Sequence, residues 1–482
     1  MPPTTSVAQD IDWDNFRDHI PTADQQGRRQ WVYPRRPSGP LYKYRTWLSY
    51  ALLAFLFLGP FLRINGNPIL MMNVIERKFT IMGFIFWPQD TLLFAVAMLT
   101  VFIMIALFTA VFGRIWCGWL CPQTVLMEML FRKIEYAIEG DADDQRKLNA
   151  SPWTPDKIRR KALKHGVFFG LSFIIGNLLL AYIIGSDALF AIITDNPFNH
   201  LRGLTAMILF SLLFYGIFAR FREQACTFVC PYGRFQSVLL DENSIVVAYD
   251  HKRGEKRGRF SRKQSLEERA AAGLGHCVNC GWCVEVCPTG IDIRNGTQME
   301  CVNCTACIDA CNNVMDRVGL PQGLIRYASL NGIERGERLK ITPRIKLYCA
   351  ILAGLSLLLV TLVALRPPVE ATILRAPGSL FQQQPNGNIS NVYLVKVMNK
   401  TTRDIPVRFE LLKPEGNMIV AGETVLTGRE QLASTAIVVE LAPDQLAGEI
   451  TPVRIGVFAN DKKVDSVKTS FLGPRRSGAV RR

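Results

Sequence analysis

Residues 277–288 read CVNCGWCVEVCP, and residues 301–312 read CVNCTACIDACN. Each carries its cysteines as C-x2-C-x2-C-x3-C, so the second run repeats the first. Three thiolates on one tight loop reach three iron corners of a 4Fe–4S cube. The fourth corner faces away and needs a ligand from a distant part of the chain. The spacing therefore pairs each triplet with the last cysteine of the other run. Cys277, Cys280, Cys283 and Cys311 are expected to hold one cube, and Cys301, Cys304, Cys307 and Cys287 the other. Pro288 follows the first run, whereas Asn312 stands where a second proline would fall. Paired C-x2-C also suits zinc, but zinc would use only four of the eight thiolates and has no need of a triplet-plus-one layout. Two cubes supply one-electron transfer. No G-x-G-x-x-G follows a strand and opens a helix, so a nicotinamide is not expected to load them.

The surrounding chain is apolar. Of 482 residues 49% are hydrophobic, yet the formal charge is +15. A nucleic-acid binder and a membrane protein with positive inner loops both fit such a balance. The apolar blocks decide for the membrane. Residues 91–112, TLLFAVAMLTVFIMIALFTAVF, contain no charge, and a spanning helix needs about 20 such residues. Further spans are expected from Trp47 to Leu62, Val167 to Gly185, Leu204 to Ala219 and Leu347 to Leu365, which makes about five. Residues 1–46 lack the apolar core of a signal peptide and read as a disordered basic tail.

Positive loops stay in the cytoplasm. The tail and the loop of 113–160 are rich in Arg and Lys, as is HKRGEKRGRFSRKQ at 251–264, whereas SDALFAIITDNPFNHLR holds a single Arg. One alternation accommodates the loops: tail and cysteine-rich segment inside, residues beyond the last span outside. The stretch FTIMGFIFWP, 79–88, is too short to cross and is expected at the outer interface. The basic block could contact anionic lipid, but enforcing topology is the plainer reading.

Two further thiol pairs lie at the inner ends of spans. RIWCGWLCPQTV, 114–125, carries Cys117 and Cys121, and CTFVCP, 226–231, carries Cys226 and Cys230. Both are C-x3-C-P. Residues four apart share one side of a helix, and Pro122 and Pro231 would end or kink the helix there. If the two spans pack together, the four thiols converge. Soft thiolates suit Cu(I), zinc or an iron–sulfur cluster, so copper or a third cluster is open. The alternative is that they only pack. Cys349, alone in the last span, reads as packing, and the five histidines share no metal spacing, although His276 adjoins Cys277.

Residues 386–474 change character. NVYLVKVMN, PVRFELLK, AIVVELA and PVRIGVFA alternate apolar and polar residues between turn signals such as PEGN and NDKK, which predicts a β-sandwich of about 100 residues. The expected organisation is therefore a tail (1–46), a four-span region (47–221), a segment with the second thiol pair and a ferredoxin-like core at 270–320 (222–343), a fifth span (344–366) and an outer sandwich (367–482).

With these parts in this order, nearly the whole chain resembles the FixG/RdxA/CcoG family of cytochrome oxidase accessory proteins. Membrane ferredoxins of the NapH type share the dicluster and the C-x3-C-P pairs; the added immunoglobulin-like domain makes the combination more specific. The resemblance implies a multi-pass protein of the bacterial inner membrane that reduces Cu(II) to Cu(I) for the copper centre of a cbb3-type oxidase. In that reading Cys117, Cys121, Cys226 and Cys230 form the reducing metal site and the eight ferredoxin-like cysteines feed it. Membrane lipid, oxidase assembly factors and copper chaperones or transporters are the implied partners, nucleic acid is not one, and the electron donor is left open. Two rival functions are a redox sensor with no metal substrate and an electron-transfer subunit feeding a quinone or a periplasmic reductase.

Overall fold

The apolar runs become helices, and the polar residues flanking them decide where each helix starts. A computed structural model describes residues 22, 26 and 28–474 except 65, 75–77, 88–89, 261–265, 338–339, 379, 402, 422–424, 429–431 and 461. The first 21 residues of the expected tail and positions 261–264 of the basic block lie outside the described residues. The chain divides into two units, one ending at Leu358 and one built mainly from Leu359 onwards.

In the first unit the leading helices are α1 (Pro40–Leu58), α2 (Thr91–Phe112) and the short α3 (Ile115–Trp119). Next comes α4, which opens as Pro122–Val125, widens to a π-helical stretch at Leu126–Phe131 and ends as Arg132–Glu139. Then follow α5 (Pro155–Ile184), α6 (Leu201–Gly216), α7 (Pro231–Leu239), α8 (Ala306–Val318) and α9 (Pro343–Ala364). Among the described residues four helices are long and apolar enough to cross a membrane: α2, α5, the segment Pro197–Phe221 that contains α6, and α9. The fifth expected span is the later part of α1. This helix begins at Pro40, before Trp47, and stops at Leu58 because Gly59 and Pro60 follow. Its first turns carry Lys43 and Arg45, which leaves a short apolar run. Even so, Tyr182 near the end of α5 donates its hydroxyl to the carbonyls of Phe55 and Leu56, at 3.1 and 3.0 Å, so the two helices end at one depth. Leu53 packs in one cluster with Phe131, Phe168, Ile175 and Phe218.

Helix α5 starts twelve residues before the expected Val167, at Pro155 behind the cap Thr154, because its first turns are helical but charged (DKIRRKALKH). Hydropathy finds only the part of a helix that is apolar. The tail also differs from expectation. Residues from Arg28 to Gly39, read as disordered, run along the cysteine-rich segment. The Arg35 amide donates to the Glu285 carbonyl at 2.7 Å, and the amides of Leu41 and Tyr42 cap onto the Asp309 carboxylate at 3.3 and 2.7 Å. Backbone donors that find such partners are not left to water. Lys78–Ile81, which overlaps the start of the stretch 79–88 expected at the interface, forms an antiparallel pair with Leu70–Asn73.

The cysteine-rich segment is bracketed by an antiparallel ladder of β1 (Val246–Tyr249) and β2 (Ile325–Ala328), whose Val247, Tyr249 and Ile325 join a core with Ile291, Met315 and Leu324.

The second unit is a β-sandwich of β3 (Val369–Arg375), β4 (Ile389–Asn399), β5 (Ile405–Lys413), β6 (Asn417–Val420), β7 (Val425–Thr427), β8 (Leu432–Leu441), β9 (Ile450–Ala459) and β10 (Lys462–Leu472). One sheet runs β6-β8-β4-β3, with a two-residue strand at Gln382–Gln383 also pairing β4; the other runs β7-β5-β9-β10. The alternation read from the sequence faces inward as Tyr393, Val395 and Val397 from one sheet and Ile455, Val457 and Phe471 from the other. Tyr393 donates its hydroxyl across the sandwich to the Ser470 carbonyl at 3.0 Å.

Candidate redox centre

The two cysteine runs adopt the same turn twice. Asn279 and Asn303, the third residues of each CVNC, have φ 54° and 53°; Gly281 and Thr305, which follow each CVNC, have φ 75° and 67°. Asparagine and glycine tolerate that region, whereas threonine rarely does. Buried Thr305 is held there by a 2.6 Å bond from its hydroxyl to the Cys304 carbonyl.

Two cavities sit against these turns. One is lined by Cys277, Cys280, Cys283 and Cys311. The other is lined by Cys287, Cys301, Cys304 and Cys307, with Cys283 between the two. Cys311 reaches the first cavity because it rides on α8, which begins beside the second run. Burial pushes the Cys304 thiol up to about 11 and Cys301 up to about 12. Thiols so placed ionise only beside a compensating cation, and iron is one. The donor set and the cavities thus fit two iron–sulfur cubes. Asn312 does not break α8. Its side-chain oxygen accepts from the Gly323 amide at 2.9 Å, which ties the helix to the loop before β2.

Four of the five remaining thiols, Cys117, Cys121, Cys226 and Cys230, meet beside the second cavity. Cys226 lies within electrostatic reach of Cys121, Cys117 and Cys230, and Cys117 within reach of Cys121 and Cys230. Among the described residues no three His, Cys, Asp or Glu side chains close on a single point, so the structure shows a neighbourhood of four thiols. Neither pair rides one face of an unbroken helix, as the spacing suggested. Cys117 is in α3, but Cys121 is extended (φ −61°, ψ 124°) ahead of Pro122. Cys226 lies in a π-turn, and Cys230 is extended (φ −72°, ψ 112°) ahead of Pro231. Proline disfavours helical backbone at the residue before it. Burial pushes Cys226 up to about 12, its thiol neighbours adding to the effect, while Arg114 pulls the other way. Burial also raises Cys117, against Arg114 and a contact with Gln236.

Several residues that hold this pocket carried no clear signal in the sequence. Arg114 is buried and donates to Gln236 Oε1 at 2.5 Å, to the Gly233 carbonyl at 3.1 Å and to the Met299 carbonyl. Gln236 Nε2 donates to Cys117 Sγ at 3.5 Å. Arg45, read as part of a disordered tail, is 2% exposed and donates from Nε to the Gly118 carbonyl at 2.7 Å. Gly118 lets α3 touch the second cysteine run: a Cβ there would stand 2.4 Å from the Val302 carbonyl oxygen. Cys117 consequently shares a buried cluster with Val302, Cys304 and Ala306.

A buried ion network includes Arg222 and Glu223, which stand just ahead of Cys226 in the chain. Arg222 donates to Glu135 at 2.5 Å, Lys164 lies 3.3 Å from Glu135 and 2.8 Å from Glu139, and Glu223 faces Arg29 at 3.2 Å and Arg132 at 3.7 Å. Burial alone would raise the Glu135 carboxyl, but Arg222, Lys164 and Arg132 hold it down at about 2.

Apolar helices, duplicated cysteine turns and a terminal sandwich define a membrane iron–sulfur protein with an immunoglobulin-like domain. Comparison with known proteins agrees. A family described as a 4Fe-4S dicluster domain matches residues 221–330, and one described as a 4Fe-4S binding domain matches residues 94–138. A third, described as an "IG-like fold at C-terminal of FixG", matches residues 359–474. The chain is 33% identical over 473 residues to protein RdxA of Cereibacter sphaeroides, covering 92% of this chain and 97% of that protein. It is 31% identical over 475 residues to nitrogen fixation protein FixG of Rhizobium meliloti, covering 89% and 86%. Protein RdxB of C. sphaeroides is 32% identical over 395 residues, covering 79% and 81%. The chain belongs to the FixG/RdxA family, and it is an iron–sulfur electron-transfer protein.

Proposed function

We propose that this protein carries single electrons from its ferredoxin-like segment to the four-thiol pocket, where a bound Cu(II) ion is reduced to Cu(I) for assembly of the copper centre of a cbb3-type oxidase. The carrying observation is that Cys117 and Cys304 share one buried cluster, which seats the pocket against the second cavity. Cubes, when bound, accept and release one electron at a time. Cys277, Cys280, Cys283 and Cys311 would hold one, and Cys301, Cys304, Cys307 and Cys287 the other.

The substrate step is balanced by one electron: Cu(II) gains it, and no covalent bond of the protein breaks. Thiolates are soft donors and favour Cu(I) over Cu(II), so Cys117, Cys121, Cys226 and Cys230 would bind the product state well. Arg114, buried against Gln236, offsets the negative charge of four thiolates. In this reading the chain is a multi-pass protein of the bacterial inner membrane with tail and clusters on the cytoplasmic face and the sandwich in the periplasm. Copper chaperones, transporters or oxidase assembly factors would collect the product.

Anaerobically purified protein, reduced with dithionite and desalted, is expected to convert Cu(II) to Cu(I) as its clusters are reoxidised and regain the visible absorbance lost on reduction. Cys117→Ala with Cys226→Ala should abolish the conversion and leave the cluster spectra in place. Copper reduction that survives this pair of changes would make the thiols packing residues.

A further inference from the structure

We propose that the basic face beside Cys280 is the docking surface for a soluble, acidic protein carrying a one-electron redox centre, and that electrons enter the chain there. The inference rests on the reading that the segment holds two cubes. The two cavities are not equivalent. Among the eight ferredoxin-like cysteines Cys280 is the exposed one, whereas Cys304, on the other cavity, is buried against Cys117. One cavity therefore faces solvent and the other backs onto the thiol pocket.

The basic block is pinned beside the solvent-facing cavity. The Gly258 amide donates to the Cys277 carbonyl at 3.1 Å, the Cys277 amide to Gly254 at 3.3 Å and the Gly275 amide to Lys256 at 2.8 Å. Within KRGEKRGR, 252–259, five cations stand against one glutamate. Lys256 and Arg259 are exposed. Arg257 turns inward to the Arg294 carbonyl at 3.2 Å, and Arg294 reaches Asn279, the neighbour of Cys280, at 2.6 Å. A loop that only enforces topology needs charge but no fixed register against a cluster ligand. Positive charge fixed beside an exposed cluster thiol steers an acidic partner to it. Anionic lipid matches the charge but brings no electron. On docking, the partner's reduced centre loses one electron and the cluster gains it; no bond forms or breaks.

The test uses the full-length protein in detergent with a small acidic plant-type ferredoxin as probe, following binding by biolayer interferometry and cluster reduction by stopped flow. Association is expected to fall about tenfold or more between low and high salt, and by a similar factor in Lys256→Glu/Arg259→Glu. Dithionite reduction of the clusters should be unchanged in that variant. Should it lose cluster absorbance, Lys256→Gln/Arg259→Gln replaces it. Binding that ignores both salt and these substitutions overturns the proposal. So does a variant that binds ferredoxin normally but loses adsorption to phosphatidylglycerol vesicles, which assigns the face to lipid. Failure of dithionite-reduced protein to reduce copper would remove the proposed function without touching this result.

Discussion

Gly113 and Arg222 end their helices in the same backbone conformation, φ 58°, ψ −135° and φ 52°, ψ −122°, each four residues before the first cysteine of a thiol pair. FGRIWCGWLCP at 112–122 and FREQACTFVCP at 221–231 are thus one structural device used twice. The conformation suits glycine; for any other residue it stores strain of roughly 1–3 kcal/mol. Arg222 bears it while its guanidinium is clamped between Glu135 and the Trp31 ring, 4.6 Å from the ring centre.

The two halves therefore respond differently to substitution. Arg222→Gly relieves strain but leaves Glu135 short of its partner, while Arg222→Ala loses the partner and keeps the strain. Loss of one member of a buried pair costs about 3–5 kcal/mol, so both variants should melt earlier, Arg222→Ala earlier than Arg222→Gly by about 1 kcal/mol. Gly113→Ala should also destabilise, because its Cβ would meet Val246 Cγ1 at 2.9 Å as well as being strained. Thermal unfolding in detergent checks the order. Equal melting of the two Arg222 variants would show that the backbone there is not strained.

Glu135 gives the network a pH dependence of known sign. Its folded value, about 2, lies below the ordinary glutamate value of about 4.3. The ionised carboxylate thus contributes stability that is complete above that ordinary value and fades as pH falls toward 2. Acid titration of the native protein should show this loss, and Glu135→Gln should flatten it while lowering stability at neutral pH by an amount on the order of 3 kcal/mol. An unchanged acid profile in the variant would place the acid lability elsewhere.

Gly118 is expected to control the contact between the pocket and the second cysteine run. In Gly118→Ala the new Cβ must push away from the Val302 carbonyl, opening the packing around Cys117 and Cys304. Displacements of about 1 Å between reacting groups cost on the order of tenfold to a hundredfold in rate. Stopped-flow mixing of the reduced variant with Cu(II) should show slowed recovery of cluster absorbance with an unaltered reduced-cluster spectrum. A wild-type rate would mean that electrons leave by another route.

Much of this centre was legible in the sequence, for reasons that can be named. The expected ligand sets rest on C-x2-C-x2-C-x3-C because thiolate reach is a local matter, and Cys311 and Cys287 line the opposite triplets' cavities. The sandwich follows from period-two alternation, visible at Tyr393, Val395 and Val397. What hydropathy missed is polar and long-range. Arg45, Arg114 and Arg222 are buried although arginine usually marks a surface, and only their partners, distant in the chain, make that possible. The start of α5 escaped because its first turns are charged. Nothing about Gly118 as a single letter distinguishes it from the other glycines; the Val302 carbonyl does.

Removal of iron should divide the molecule by its means of support. The core around the cysteine runs consists of Ile291, Met315, Leu324 and a few neighbours, with Cys277, Cys283 and Cys311 among them. Small domains of this kind depend on their metal, and binding free energy becomes folding free energy. The sandwich contains no cysteine and rests on its own apolar interior, closed by the bond from Tyr393 to Ser470. Stripping iron with a chelator under oxidising conditions should abolish amide-exchange protection across residues 277–318 and leave the strands Ile389–Asn399 and Ile450–Ala459 protected. Tyr393→Phe should reverse the pattern in miniature, weakening the sandwich by about 1 kcal/mol without changing the iron content. Hydrogen exchange read by mass spectrometry resolves both. Retained protection at 277–318 after complete iron loss would mean that the segment folds without cubes and that its thiols serve some other purpose.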